Sequence, residues 1–109
     1  MAAVNVDPPG SEIPAAGGKS SHKISNGCPS RLAFKVKSSN NNQIRIKPVF
    51  GFIEPGGAAD LEITRLNGAP KEDKLIIQFK EAAPDAADAS AIFKDGPAMG
   101  EIIVPVSAK

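Results

Sequence analysis

The chain of 109 residues contains no tryptophan, no tyrosine, one histidine and one cysteine. A single cysteine excludes a disulfide within the chain, so the fold cannot depend on an oxidising compartment. Cys28 lies in a Gly-Pro turn without a nearby histidine, and we expect its thiol to be inert. His22 has no partner for a catalytic site, and we expect it to be structural or exposed. One cysteine and one histidine cannot form a structural zinc site, so no metal is expected.

Motifs for catalysis and phosphate binding are also missing. No Walker loop and no GxGxxG pattern occurs, and Gly56-Gly57 precedes a predicted strand, which is typical of a turn. Asp85 and Asp88 are close together in sequence, but beside a predicted helix start they favour interaction with the helix end over acid–base chemistry. We therefore predict a protein that is not an enzyme and binds no cofactor.

Neither a strong net charge nor a long apolar run occurs. The formal net charge is +1, which gives no argument for nucleic-acid binding. The longest strongly apolar runs have three residues, as in Leu75–Ile77 and Ile102–Val104, whereas a membrane span needs about 20. Met1–Asp7 lacks the basic start and the apolar centre of a secretory signal. These features predict a soluble intracellular protein with no direct membrane insertion.

Glycine and proline are plentiful, with 10 of each, and they separate short apolar segments. This composition is typical of an all-β domain with many turns. The length suits one modest core, so we expect a single domain over residues 1–109.

Two segments alternate apolar and polar residues, which is the pattern of a half-buried strand. In Leu32–Lys37 the polar side consists of Lys35 and Lys37. In Lys74–Lys80 the polar side is two lysines and a glutamine, with Ile76 as its one apolar member. An apolar residue among lysines on a solvent-facing surface favours a docking surface for an acidic partner. A plain solvated sheet face, on which lysines discourage edge pairing, is the alternative.

Strand patterns recur along the chain between turn signals. Pro48 interrupts them, because proline lacks a ladder donor, and a kink or bulge is expected there. Gly51–Gly57 is interpreted as a turn. Ala82–Phe93 is interpreted as a short helix with Pro84 in its first position, ended by Asp95–Pro97. The predicted strands are Val4–Val6, Glu12–Ala15, Ser21–Asn26, Arg31–Ser39, Ile44–Lys47, Asp60–Leu66, Asp73–Lys80 and Glu101–Val106.

About seven short strands with almost no helix predict an antiparallel β-sandwich. In the seven-stranded arrangement the third, sixth and seventh strands share a sheet, which would place Lys35 and Lys37 beside Lys74 and Ile76. Glu101 and Ile103 would then lie on the next strand. The residues predicted to form the common core are Phe34, Val36, Leu61, Ile63, Leu75, Ile77, Phe79, Val104 and Val106.

Four segments in this order resemble the major sperm protein (MSP) domain family: Phe34–Ser39, Ile44–Pro48, Gly51–Gly56 and Asp73–Gln78. The family includes the nematode sperm cytoskeletal proteins and the cytoplasmic domains of the VAMP-associated proteins (VAPs). The resemblance covers nearly the whole chain and implies the family fold, an immunoglobulin-like seven-stranded antiparallel β-sandwich related to PapD-like domains.

The VAP branch binds peptides with an acidic tract and a pair of aromatic residues through a basic face. Its motif Lys-Val-Lys-Thr-Thr corresponds here to Lys35–Ser39, which keeps the lysines and the hydroxyls. Its motif Lys-Phe-Met-Val-Gln corresponds to Lys74–Gln78, so Ile76 stands at the position of an exposed methionine. The partner-binding residues implied by this resemblance are Lys35, Lys37, Ser38, Ser39, Lys74 and Ile76.

The sperm branch consists of lone MSP domains that dimerise and build filaments for amoeboid crawling. The chain resembles a small sperm-specific member. This implies a non-enzymatic, cytoplasmic protein that acts through protein contacts in or beside the nematode sperm cytoskeleton. Its partners would be proteins or peptides, with a second copy or other MSP-domain proteins among the candidates. The alternative is a VAP-like adaptor that binds acidic aromatic peptides through the basic face.

Overall fold

The computed structural model describes residues 4–94 and 98–109 and shows two facing sheets in this part of the chain. Eight of the nine described strands have nine residues or fewer, and glycine, proline or asparagine lies near most of the strand ends, as the turn signals predicted. The elements are β1 (Val4–Asp7), β2 (Ser11–Ile13), β3 (Gly18–Asn26), β4 (Leu32–Ser38), β5 (Ile44–Lys47), β6 (Phe50–Ile53), β7 (Ala58–Arg65), β8 (Lys71–Glu81), α1 (Ala89–Ile92) and β9 (Gly100–Ala108).

The strand orders of the two sheets are β1-β3-β7-β5 and β2-β9-β8-β4-β6. The predicted all-β sandwich is therefore confirmed, and β4, β8 and β9 are neighbours in the five-stranded sheet, as predicted. One pairing departs from the antiparallel expectation, because β2 runs parallel to β9. A parallel pair requires a long connection rather than a hairpin, so no local turn signal marks it in the sequence.

The described residues form nine strands, more than the seven of the predicted sandwich, and prolines separate two pairs of strands that follow each other along the chain. After β1 the chain passes Pro8 and Pro9 and crosses from the four-stranded to the five-stranded sheet as β2. After β5 it passes Pro48 and makes the same crossing as β6, which pairs with β4. Proline has no N–H for a ladder, so each site ends one strand. The predicted break at Pro48 is confirmed, and the peptide bonds preceding Pro8 and Pro48 are cis.

The core lies between the sheets and consists of alternate residues of each strand. All nine residues predicted for it are buried, and eight of them belong to one continuous cluster. Phe79 is 5% exposed and lies outside that cluster. Phe34 is 1% exposed, and its neighbour Lys35 lies on the opposite side of β4. The register predicted from the alternation is therefore confirmed.

The lone histidine is part of the interior. His22 is 2% exposed, and its Nδ1 donates to the Pro8 carbonyl oxygen over 2.7 Å. Because a carbonyl oxygen only accepts, Nδ1 carries a proton, and Nε2 forms a second hydrogen bond with the Ser20 hydroxyl at 2.7 Å. His22 is thus structural, which is one of the two roles predicted for it.

One of the predicted turns is wrong in part. Phe50–Ile53 forms β6, and the turn is confined to the residues after it, where the Gly57 amide donates to the Glu54 carbonyl oxygen at 2.9 Å. Gly51 serves close packing within the strand, because a Cβ there would lie 2.6 Å from the Phe34 ring. A glycine in a strand that meets a neighbouring side chain is easily mistaken for a turn residue.

The helix is shorter than predicted and begins later. Pro84 and Asp85 precede it in a turn, and Asp88 is its N-cap, with the carboxylate accepting from the Ser90 amide at 3.0 Å. The Asp88 carboxylate accepts from a backbone amide of the first helical turn that would otherwise be unpaired. Proline has no side-chain acceptor for such an amide, so the helix starts after Asp88 rather than at Pro84. Hydrogen bonds from the Ser90 hydroxyl and amide hold the pKa of Asp88 below its usual value. The predicted helix end at Asp95–Pro97 lies outside the described residues.

The helix covers one end of the outward surface of the five-stranded sheet. Ala33 of β4 is fully buried there in a small cluster with Phe50 and Phe93. The Arg31 guanidinium lies 3.8 Å from the centroid of the Phe52 ring and donates from Nη1 to the Ala86 carbonyl oxygen at 2.9 Å. These contacts hold the segment before the helix against the sheet and leave the other end of the surface uncovered.

Truncation of a core residue should show that the alternation defines the core. Phe34→Ala should lower the free energy of unfolding by about 3–5 kcal/mol, because it removes a buried ring and leaves a cavity. Val49→Ala is the control, since Val49 is 42% exposed. This variant should change the free energy of unfolding by no more than about 0.5 kcal/mol. Urea denaturation followed by circular dichroism measures both. Equal losses for the two variants would contradict the core assignment.

Candidate protein-interaction surface

Four of the six candidate residues form one patch on the outer face of the five-stranded sheet, the surface that points away from the core. The register places Lys37 of β4 opposite Ile76 of β8, and Ile76 opposite Ile103 of β9. Lys35 and Lys74 flank this row on its two sides, two residues away along β4 and β8. The structure therefore brings together the lysines and the isoleucine that the sandwich arrangement predicted to be neighbours.

Two of these lysines have no ionic partner among the described residues. No carboxylate oxygen there lies within 4.0 Å of the Nζ of Lys37 or Lys74, and both side chains are exposed. Lys35 is half-buried, with its Nζ 5.6 Å from the centroid of the Phe50 ring. A cluster of unpaired cations beside apolar side chains suits a partner that supplies negative charge.

The two candidate serines already have hydrogen-bond partners within the domain. The Ser39 hydroxyl donates to Oδ1 of Asp73 at 3.0 Å and accepts from the Lys74 amide at 3.0 Å. The Ser38 hydroxyl accepts from the Asn40 amide, also at 3.0 Å. Both hydroxyls thus fix the end of β4, and Ser39 joins it to β8. This geometry gives them a positioning role beside the lysines.

A buried ionic pair lies beneath this end of the outer face. Oδ2 of Asp73 is 3.7 Å from Nη1 of Arg65, and the two side chains are 3% and 0% exposed. Asn40 donates to the same Oδ2 at 3.2 Å, and Nη2 of Arg65 donates to the Ala69 carbonyl oxygen at 2.7 Å. Arg65 belongs to β7 and Asp73 to β8, so the pair joins the two sheets. Removing one partner would leave a buried charge uncompensated.

The outward surface of the four-stranded sheet has a different electrostatic character. There Lys23 lies 2.9 Å from Asp60, and Lys19 lies 3.8 Å from Glu62, across the β3–β7 pairing. Such exposed pairs contribute little to stability, but Lys19 and Lys23 each have a nearby carboxylate, whereas Lys47 of β5 has none within 4.0 Å among the described residues. What distinguishes the outer face of the five-stranded sheet is that its unpaired lysines lie beside the cross-strand pair of Ile76 and the exposed Ile103.

Ile103 extends the apolar part of the outer face and was not among the residues implied by the resemblance. It is 53% exposed, the highest value among the exposed large apolar side chains in the described residues. The alternation that places Val104 and Val106 inward also places Ile103 outward, so the sequence contains the signal that identifies it. With Ile76 it forms a cross-strand pair at the centre of the face.

The described residues, 4–94 and 98–109, contain no cluster of three or more His, Cys, Asp or Glu side chains that could hold a metal ion. No helix in this part of the chain has the length and the apolar character to cross a membrane. Cys28 is a free, half-buried thiol.

The two-sheet topology defines an immunoglobulin-like sandwich domain, and comparison with known proteins gives its family. The family model described as MSP (Major sperm protein) domain matches residues 3–100. The chain belongs to this family, as the sequence motifs predicted. MSP domains are protein-interaction domains with a fold of non-catalytic type, so the chain is not an enzyme.

Individual relatives agree with this assignment. Sperm-specific class P protein 16 of Caenorhabditis elegans is 52% identical over 105 residues, which cover 96% of each chain. The structure of WR4, a C. elegans MSP family member, matches with a TM-score of 0.96 at 50% identity and covers 100% of both chains. A PapD-like domain of human CEP192 matches with a TM-score of 0.63 at 12% identity, covering 97% of this chain and 84% of that one, which shows the fold alone.

The buried pair beneath the outer face should matter more to stability than a surface pair to the same carboxylate. Asp73→Ala should lower the free energy of unfolding by about 3–5 kcal/mol, because Arg65 would stay buried without its counter-ion. Lys71→Ala is the control, since Nζ of Lys71 lies 3.9 Å from Oδ1 of Asp73 with its side chain 59% exposed. Lys71→Ala should lower the free energy of unfolding by less than about 1 kcal/mol. Chemical denaturation would refute the assignment if both variants lost equal stability.

Proposed function

We propose that the protein acts by protein–protein interaction in or beside the nematode sperm cytoskeleton, as a single cytoplasmic domain over residues 1–109. The observation that carries the proposal is the 52% identity, over 96% of both chains, to a sperm-specific class P protein. The binding surface is the outer face of the five-stranded sheet. The proposed binding residues are Lys35, Lys37, Lys74, Ile76 and Ile103, with Ser38 and Ser39 positioning the end of β4.

The charge of the outer face supports this surface as the site. Lys37 lies opposite Ile76 on β4 and Lys74 lies two residues away along β8, and neither has a carboxylate partner among the described residues. A partner carboxylate would therefore gain an ion pair without breaking one inside the domain. The pair of Ile76 and Ile103 supplies apolar area at the centre, where interfaces exclude water best. Binding should weaken as salt concentration rises, because exposed charges are screened.

The VAP-like adaptor is the competing hypothesis for the same face, and the comparisons do not favour it. Seven relatives that cover at least 93% of the chain are named as sperm-specific class P proteins. Ile76 is also a β-branched residue where a VAP has methionine, and it adapts less readily to different partner side chains. Calorimetric titration with a peptide carrying an acidic tract and two aromatic residues separates the hypotheses. The adaptor hypothesis requires a heat of peptide binding that is lost when the lysines are replaced. The sperm-type role requires no binding of this peptide.

Charge reversal on the outer face tests the proposed function directly. Lys37→Glu and Lys74→Glu should each reduce co-sedimentation of the protein with filaments assembled from purified nematode sperm cytoskeletal protein. Each change replaces an unpaired cation by an anion that repels an acidic partner. Both side chains point to water, so neither variant should change the stability of the fold by more than about 0.5 kcal/mol.

Lys47→Glu is the matched control, since it makes the same change of charge on the other sheet. Lys47 is exposed on β5, which belongs to the four-stranded sheet. This variant should sediment with the filaments as the unmodified protein does. If Lys47→Glu reduced co-sedimentation as much as the outer-face variants, net charge would explain the effect and the outer face would be excluded.

A further inference from the structure

A stretch of β9 has an open edge in the described structure. β9 runs from Gly100 to Ala108, whereas β2 pairs only with its last three residues, Val106–Ala108. β8 lies along the other side of the strand for its whole length. Among the described residues no strand pairs with the remaining side of Gly100–Pro105. This opening exists because the chain crosses to β2 only after Pro8 and Pro9, too late to cover the start of β9.

The hydrogen bonds at the end of β9 identify which backbone groups face the open edge. The Lys109 amide donates to the Ile13 carbonyl oxygen at 3.3 Å, and the Lys109 carbonyl oxygen accepts from the Ala15 amide at 2.9 Å. Backbone groups in a strand alternate sides, so odd-numbered residues of β9 face this edge. The N–H and C=O groups of Glu101 and Ile103 therefore point to it, and no backbone partner within the described residues meets them there.

The open stretch lacks the features that protect other edges from pairing. Edge strands are usually protected by lysine, proline or short length. β5 carries Arg45 and Lys47 and ends before Pro48, and β2 has three residues. By contrast, Ile102–Val104 is entirely β-branched and strongly favours strand pairing. Pro105 limits the edge only at its far end.

Apolar and acidic groups beside the open stretch indicate what kind of segment fits. A cleft of about 640 Å³ adjoins Gly100–Ile102, and its apolar lining includes Val4 and Phe79. Glu81 and Glu101 also line it, and no lysine, arginine or histidine does. A strand added here would direct alternate side chains toward the cleft and would place the others beside Glu101. The chemistry thus favours apolar residues on one side of the partner strand and a basic residue on the other.

We propose that the open edge of β9 binds an extended segment of a different protein by β-strand addition, in which apolar side chains alternate with polar ones that include a lysine or arginine. Main-chain hydrogen bonds to Glu101 and Ile103 provide the pairing, and the cleft selects the inward side chains. This edge is a second surface, distinct from the lysine patch of the proposed function. The edge can bind its peptide even if the lysine patch binds no cytoskeletal partner. The lysine patch can likewise bind a partner if the edge binds no peptide.

The test uses the full chain and a peptide of about eight residues, in which valine alternates with threonine and lysine. Amide hydrogen exchange by NMR on the ¹⁵N-labelled protein is the readout. The Glu101 and Ile103 amides should exchange rapidly in the free protein and become protected when the peptide is added. A peptide of the same sequence with N-methylated backbone amides is the control, and it should give no protection because it cannot pair.

Ile103→Pro tests the backbone contribution without breaking the pairing with β8. The Ile103 amide points to the open edge, and Pro105 already occupies the equivalent edge position two residues further on. This variant should retain its fold and bind the peptide roughly tenfold more weakly, through loss of one main-chain donor. Ile103→Val keeps the donor and should bind as the unmodified protein does. Lys37→Glu should also leave peptide binding intact.

Three results would overturn the proposal. The first is a protected Glu101 or Ile103 amide in the free, monomeric protein, since the edge would then be closed by the chain itself. The second is equal binding of the N-methylated peptide, because contact would then not use the backbone. The third is protection that rises with protein concentration in the absence of peptide, which would make a second copy the occupant.

Discussion

The register between β4 and β8 is the constraint on which both the core and the outer face depend. Phe34 pairs with Phe79 and Val36 with Ile77 in the interior, while Lys37 pairs with Ile76 outside. A slip of one residue would exchange these sets, burying lysines and exposing the core. The Ser39 hydroxyl holds the register at one end, because it bridges the start of β8 through two hydrogen bonds. Stability and surface chemistry are thus fixed by the same strand pair.

The prolines determine how the chain divides its strands between the sheets. Crossings follow Pro8 and Pro48, and each turns one stretch of alternating sequence into two short strands on opposite sheets. The buried pair of Arg65 and Asp73 then joins the sheets again at one end. It aligns β7 with β8 and, through Asp73, reaches the Ser39 hydroxyl at the edge of the outer face.

Sequence reasoning succeeded where the periodicity of side chains decides the structure. Alternation was sufficient for β4, β8 and β9, for the core residues and for the cluster of lysines around Ile76. It failed at Phe50–Ile53, because Gly51 is required by the Phe34 ring in a contact between strands far apart in sequence. It also placed the helix start at Pro84 rather than after the Asp88 cap, since both residues are favourable near a helix start. The open edge of β9 depends on where β2 joins the sheet, and a local sequence pattern does not indicate that position.

Ile103 connects the two surfaces because its side chain and its backbone point in different directions. The side chain lies beside Ile76 on the outer face, while the amide and carbonyl face the open edge. A strand added at that edge would continue the cross-strand row of Lys37, Ile76 and Ile103 by one more residue. The outer face would then be wider, with the polar side chains of the added strand beside Glu101 and Ile103 and with its own lysines unchanged on the far side. Strand addition at the edge would therefore extend the face on which the proposed cytoskeletal contact depends, and a basic residue of the added strand would place one more cation on that face, although each surface can bind without the other.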